Sequence, residues 1–367
     1  MIFTPNQKRQ EQLPNFGLQL AAGKDPGAGF GKGLYGDHQV IMPSAYLKVR
    51  DRRAKQHETI GKDGCWVHYV EGDRNDLKDS QYFWGTAAIT KSSKDDPHTD
   101  LHTDTKAKAL YALESILADV AVLNLPDSEI TLAISSHNPD KWADTIKRNV
   151  EGVHRFEHLT PMREKVTKTV SLRIADIYPE GFGSIAYCLF GGEPQLALEP
   201  DEIAIGLDWG TSTTIISVFD GAGSLKARKV IESGSSSLYG AIADEMNRQN
   251  SAANRLSRDV NHSVDNIRKG VEAFATKQKF VYGQSELVGK PFDKEYAEYF
   301  QNWFETRVEQ IGDYISGQGF LDKAKYLAAW GGGVLLPKMN QALAEFNVVC
   351  LDDPQFINAK GLKLLAE

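Results

Sequence analysis

The chain has 367 residues, 41% hydrophobic and 25% charged, enough for about two domains with separate cores and unlike collagen, low-complexity or disordered chains. Lys and Arg number 42 and Asp and Glu 49, a formal net charge of −7, which argues against broad, sequence-independent binding to DNA phosphates and calls for a local patch or an adaptor in any DNA role. Cys65, Cys188 and Cys350 are odd in number and far apart, so they build neither a disulfide framework nor a CxxC metal site. Met1 to Gln12 is polar and no apolar run reaches membrane-spanning length, so the expectation is a cytoplasmic protein without a membrane anchor.

In chain order, the first strong signal is the turn Asp25-Pro-Gly-Ala-Gly-Phe-Gly-Lys32. Ala21 to Lys24 before it makes a poor strand candidate, while Gly36-Asp37 turns the chain and Gln39 to Met42 returns as a strand. Ala45 to Asp104, with Trp66, Tyr69, Tyr82, Phe83 and Trp84, predicts a small β-rich insertion. A helix follows from Lys106 with Leu110, Leu113, Leu117 and Val120 on its apolar face. Leu132 to Ile134 is a buried-strand candidate, Lys141 to Val150 an amphipathic helix and Ser171 to Ile177 a second strand. Pro179-Glu180 then leads into a helix over Gly183 to Leu189.

The second half repeats this order. Ile203 to Leu207 and Ile215 to Phe219 are strands around Asp208-Trp-Gly-Thr-Ser-Thr-Thr214, and Lys226 to Glu232 returns as a third. Ser233 to Lys279 is polar and helical in pattern. Asp293 to Ile311 is an amphipathic helix turning Tyr296, Tyr299, Phe300, Trp303 and Phe304 inward. Tyr326 to Trp330 reads as a strand and Gly331-Gly-Gly333 as a turn. Val334 to Phe346 predicts a helix with Leu335, Met339, Leu343 and Phe346 on one stripe, Asn347 to Leu351 a strand, and Phe356 to Leu365 a closing helix. The two Asp-headed turns lie about half the chain apart, which implies a duplicated α/β unit around a cleft.

Gly27, Gly29 and Gly31 let the backbone approach an anion closely, and Thr211, Ser212 and Thr213 add hydroxyl donors to a similar cradle. Asp25 and Asp208 would repel phosphate unless a divalent cation lay between, a setting that suits a magnesium nucleotide, with Lys32 as a further point charge. Walker A fails around Gly31-Lys32, and Gly31-x-Gly33-x-x-Gly36 precedes a strand instead of the helix a Rossmann site requires. His98-x-x-x-His102 with its neighbouring aspartates reads as a solvated helix start, Lys48 to Lys55 as a charged edge, and Asn261-His-Ser263 as an unused glycosylation sequon.

The combination of D-x-G-x-G-x-x-K at Asp25, Pro179-Glu180 before a helix, D-x-G-x-x-T-T at Asp208 and Gly331 to Gly333 after a late strand resembles the actin-like ATPases. Within them it resembles the bacterial ParM/StbA plasmid-segregation branch. Met42-Pro43-Ser44 and the ending from Asp352 to Leu362 are similar to the same branch, and the second half carries the more specific motifs. The resemblance implies a duplicated actin-like (ribonuclease H-like) α/β fold with two domains around a nucleotide cleft. One domain would span 13–198, with an insertion at about 45–104 and the helix of 352–367 returning to it; the other would span 199–351, with a helical insertion at about 233–280. It implies phosphate contacts at Gly27, Ala28, Gly29, Lys32, Gly210, Thr211, Ser212 and Thr213, and adenosine contacts at Gly331, Gly332 and Gly333. Asp25 and Asp208 would hold Mg²⁺ through water, and Glu180 would orient the attacking water. The implied cofactor is Mg–ATP, with GTP as the alternative nucleotide. The implied partners are further copies of the chain in a filament and a DNA-binding adaptor for plasmid segregation. A small-molecule kinase on the same core and a nucleotide-binding scaffold without turnover are the competing readings.

Overall fold

The computed structural model describes residues 16–27, 29–50, 63–101, 105–160, 162, 164–191, 197–253, 262–280 and 292–367. The first half contains β1 (Gln19–Pro26), β2 (Phe30–Tyr35), β3 (His38–Pro43), β4 (Ala45–Lys48), β5 (Gly64–Gly72), β6 (Gln81–Gly85), α1 (Thr86–Lys91), β7 (Thr99–Asp100), α2 (Thr105–Leu110), α3 (Ala112–Leu123), β8 (Ser128–Ser136), α4 (Pro139–Val150), β9 (Gly152–Leu159), β10 (Lys165–Pro179) and α5 (Phe182–Phe190). The second contains β11 (Ile203–Trp209), β12 (Thr214–Asp220), β13 (Leu225–Ile231), α6 (Ser235–Ala253), α7 (Val264–Lys277), α8 (Asp293–Gly317), β14 (Ala324–Trp330), α9 (Met339–Ala344), β15 (Val349–Cys350) and α10 (Ile357–Ala366).

Two sheets share one plan. The second runs β13, β12, β11, β14, β15, and the first begins in the matching order β3, β2, β1, β8, β10 before continuing through β9, β5, β6, β4 and β7. In each, three antiparallel strands form a meander whose first strand pairs parallel with the next one in the sheet, β1 with β8 and β11 with β14. The aromatic segment after Ala45 is joined to the main sheet by the antiparallel pairing of β5 with β9. Each sheet has its own apolar core, one around Leu132, Phe156 and Leu117 and the other around Ile205, Met246 and Phe300. A third cluster packs Ile185, Cys188 and Leu189 of α5 against Ala204, Phe219, Ala328 and Trp330 of the second sheet. Helix α5 is thus the apolar joint between the halves.

The segment expected to be a poor strand, Ala21 to Lys24, lies inside β1, bonded to β2 on one side and β8 on the other. Its small residues serve the helix that lies on it. A Cβ on Gly23 would come within 2.0 Å of the Ala359 carbonyl oxygen, so only glycine lets α10 seat there. Lys24 is tolerated because its ammonium group meets Asp119 of α3 at 2.5 Å, with the Tyr35 hydroxyl donating to the same carboxylate at 2.9 Å. Helix α10 also crosses α5, where Gly361 and Gly183 face each other and Asn358 Oδ1 accepts from the Ser184 amide at 3.2 Å. Because a Cβ on Gly361 would sit 1.7 Å from the Gly183 carbonyl oxygen, Gly361→Ala is expected to cost about 1–3 kcal/mol, read by urea denaturation.

The segment after Gly333 departs from the expected helix. Pro337 divides it into a short 3-10 turn over Gly332–Leu335 and the six residues of α9. Met339 and Leu343 are buried as expected, whereas Leu335 and Phe346 are exposed. The strand expected over Asn347 to Leu351 shortens to the two residues of β15. Leu110 also lies outside its predicted apolar face, because Tyr111 interrupts the helix between α2 and α3 and turns Leu110 to the surface.

Candidate functional site

Asp25 is the next-to-last residue of β1, and its cross-strand partner on β2 is Lys32. Antiparallel pairing puts their side chains on one face, and Lys32 Nζ lies 3.6 Å from Asp25 Oδ2. The Ser135 hydroxyl at the end of β8 donates to Asp25 Oδ1 at 2.7 Å, fixing the carboxylate. The turn is held from below by Ser44, whose hydroxyl donates to the Gly27 carbonyl at 2.7 Å and whose amide donates to the Gly29 carbonyl at 3.1 Å. Pro26 removes one amide from this turn, but its pairing with Gly31 continues the hairpin through the aspartate.

The second turn is built alike. The Gly210 amide closes it on the Thr213 carbonyl at 2.9 Å, and the Ser235 and Ser236 amides at the head of α6 bind the Gly210 and Thr211 carbonyls at 3.1 and 2.9 Å. Drawing these carbonyls toward α6 turns the other side of the loop toward the first half. Gly234 permits the approach, since a Cβ there would lie 2.4 Å from the Gly210 carbonyl oxygen. The two turns meet, and a Cβ on Gly29 would touch Thr211 Oγ1 at 2.9 Å. Asp208 is backed by Gly331, which has φ +90° and no room for a Cβ, the nearest atom being Asp208 Oδ1 at 2.5 Å. Gly331 is anchored by its amide to the Pro354 carbonyl at 2.9 Å.

Asp208, Asp25, Lys32, Glu180 and Arg228 form one electrostatic group. Desolvation raises the Asp208 carboxyl to about 7; Asp25 and Glu180 push the same way, and Lys32 and Arg228 oppose them. Between about pH 4 and 7 the folded chain therefore keeps a proton on Asp208 that the unfolded chain has released. Stability from this group is present at low pH and lost as pH rises through that window. Relative to Asp208→Asn, the wild-type chain is expected to lose about 2 kcal/mol between pH 5.5 and 7.5, measured by urea denaturation without nucleotide. Equal slopes for both proteins would contradict this.

Glu180 follows the last residue of β10 and precedes α5, and its amide donates to the Ser136 carbonyl at 3.0 Å. Its carboxylate does not merely complement the helix dipole. Lys108 Nζ of α2 bonds Oε1 at 3.0 Å and Arg228 Nη2 of β13 bonds Oε2 at 3.2 Å. The next residue, Gly181, has φ +84° and faces Ser217 and Trp330 of the second sheet.

The structure thus brings together Asp25, Gly27, Gly29, Lys32, Glu180, Asp208, Gly210, Thr211 and Gly331, with Ser212, Thr213, Gly332 and Gly333 in the same turns. Ala28 lies outside the described residues. Sequence reasoning missed Lys108, Ser135, Arg228 and Gly234, which sit in ordinary helix, strand and turn contexts; only Gly234, inside Ser233-Gly-Ser235, carries a turn signal. His98 leads into the short strand β7 instead of a helix start, pairing with Asp100 at 3.1 Å, while His102, residues 51–55 of the basic run and Asn261 lie outside the described residues. Among the described residues no cluster of three or more His, Cys, Asp or Glu side chains could hold a metal ion by itself, and no helix is long and apolar enough to cross a membrane.

Two sheets of one strand plan, each ending its meander's first strand in an Asp-headed glycine-rich turn that faces the other, define the actin-like class of duplicated α/β proteins. Residues 23–183 match the family model of the actin-like protein N-terminal domain, and no curated protein matches the sequence. The chain has an actin-like fold, the architecture also seen in an archaeal actin homologue and in ParM proteins. The archaeal actin homologue Ta0583 is 16% identical, with 95% of this chain and 99% of that one covered and a TM-score of 0.71. Bacillus thuringiensis ParM with ATP is 14% identical over 94% of this chain and 97% of its own, with a TM-score of 0.63. A non-polymerisable quadruple mutant of pCBH ParM is 16% identical over 94% and 98%, with a TM-score of 0.65. At these identities the likeness concerns the fold. The family match falls on the first half, although the second half carries the more specific short motifs.

Proposed function

We propose that this chain is a cytoplasmic actin-like ATPase that binds Mg–ATP between its two halves, hydrolyses it slowly and polymerises in a nucleotide-dependent way, serving plasmid segregation through a DNA-binding adaptor. The halves in this reading are residues 13–198 with 352–367, and 199–351. The observation that carries it is the meeting of the Gly29 and Thr211 turns with Asp25, Lys32 and Asp208 grouped beside them. Two proteins of similar fold support it: Bacillus thuringiensis ParM has been seen with ATP, and pCBH ParM has a quadruple mutant distinguished as non-polymerisable.

Asp25 and Asp208, two carboxylates at the edges of facing turns, are the residues that would hold magnesium, through water, beside the phosphates. When bound, the ion offsets the charge of the phosphates against these carboxylates. Lys32 adds a point charge on the phosphates and the turn at Gly210 to Thr213 supplies amides and hydroxyls. Gly331 to Gly333 border the nucleoside, and Glu180 accepts a hydrogen bond from the attacking water and so orients it. Non-closing contacts between copies give an open polymer, and a ligand touching both halves biases the subunit's shape.

Phosphate release and equilibrium binding, measured together with ATP, GTP and ADP, test the proposal. ATP binding with slow phosphate release is expected. Tight binding without release would favour a scaffold, and transfer to a small-molecule acceptor would favour a kinase.

A further inference from the structure

Arg228 belongs to the second sheet, at its β13 edge, yet its hydrogen bonds run to the first half. Nη2 donates to Glu180 Oε2 at 3.2 Å and Nη1 to the His137 carbonyl at 3.1 Å. Its side chain is 19% exposed and its Nε is buried without a hydrogen-bond partner, so the guanidinium makes its side-chain hydrogen bonds through the two terminal nitrogens that cross between the halves. Glu180 is 15% exposed and Lys108 10%, so the triad is largely sheltered from solvent. A second arginine makes a parallel crossing, the Arg268 guanidinium of α7 lying 5.3 Å from the centre of the Phe30 ring beside the first turn.

We propose that Arg228 is an interdomain positioning residue whose grip on Glu180 and the His137 carbonyl ties the orientation of the hydrolytic carboxylate to closure of the two halves. This rests on the ATPase reading of Glu180. Lys108 approaches Glu180 from the same half and holds it at any domain angle, whereas Arg228 reaches it only when the halves are closed. Opening withdraws the guanidinium from Oε2, leaving the carboxylate held at one oxygen and free to rotate. Hydrolysis then proceeds in the closed form, where both oxygens are fixed and a water can be aligned. Nucleotide binding, carried by the two turns, does not need Arg228.

The test compares Arg228→Ala and Arg228→Lys with the wild-type chain, each first checked for an unchanged thermal midpoint. Without nucleotide, hydrogen exchange at Ser136 to Asn138 is expected to quicken at least threefold in Arg228→Ala and to stay near wild type in Arg228→Lys, whose ammonium still reaches a carboxylate. With ATP, single-turnover hydrolysis is expected to slow about tenfold in Arg228→Ala with Kd for ATP within about twofold, and to recover in part with lysine. Unchanged exchange and unchanged hydrolysis in Arg228→Ala would overturn the proposal. So would a loss of hydrolysis matched by an equal loss of ATP affinity, which would make Arg228 a nucleotide ligand. A wild-type chain that releases no phosphate would instead refute the ATPase reading, and the exchange comparison would still decide whether Arg228 clasps the two halves.

Discussion

Glu180→Gln is expected to slow phosphate release at saturating ATP by about a hundredfold or more, with the Kd for ATP within about threefold of wild type. The amide keeps the shape of the side chain but can no longer act as a charged acceptor for the water's proton. Binding should persist because the turns proposed to hold the phosphates, around Gly27 and Gly29 and at Gly210 to Thr213, keep their own hydrogen bonds without Glu180. The fold should persist because Lys108 and Arg228 retain some solvent access, at 10% and 19% exposure, and a glutamine oxygen can still accept from one of them. Assembly, if driven by binding alone, should then be preserved while disassembly slows. Equal phosphate release by wild type and Glu180→Gln would remove Glu180 from the chemistry.

Asp119→Ala is expected to destabilise the first half by about 3–5 kcal/mol, more than the loss of an exposed ion pair. Lys24 and Asp119 are almost wholly buried, and Tyr35 donates to the same carboxylate, so the truncation strands an ammonium group and a hydroxyl together. The damage is expected to reach the site, because Lys24 immediately precedes Asp25 on β1 and both residues pair with β2 there. The combined replacement Lys24→Met, Asp119→Leu and Tyr35→Phe removes the polar atoms as a set and is expected to restore stability to within about 1–2 kcal/mol of wild type. Urea denaturation of the single and triple variants checks both values. A loss in the triple variant as large as in Asp119→Ala would mean that packing of β1 on α3, not the buried charge, is what matters there.

The duplicated plan is legible in the sequence because turns and strands are local: Asp208 between two apolar runs can hardly be anything but a hairpin, and β11, β12 and β13 lie where the residues put them. Strand β1 is hidden because the choice of residues there is set by distant partners. Gly23 accommodates α10, more than 330 residues further on, and Lys24 is neutralised by Asp119 on α3. The span after Gly333 misleads because the apolar spacing of Leu335, Met339, Leu343 and Phe346 suits a helix until Pro337 is allowed for. At the site, the residues of the two turns announce themselves through glycine and aspartate. Lys108 and Arg228 do not, because one lies in a short helix rich in lysine and alanine and the other in a mixed strand of ordinary edge composition. Their meaning appears only when β13 is brought up to the end of β10.

Nucleotide-driven assembly is decided by sedimentation of the purified chain across a concentration series with ATP, with ADP and without nucleotide, followed by electron microscopy of the pellets. Filaments are expected with ATP above a critical concentration, and little or no polymer with ADP or without nucleotide. A chain that stays monomeric with ATP at every concentration, or that pellets equally in all three conditions, would contradict the assignment as a nucleotide-dependent filament protein.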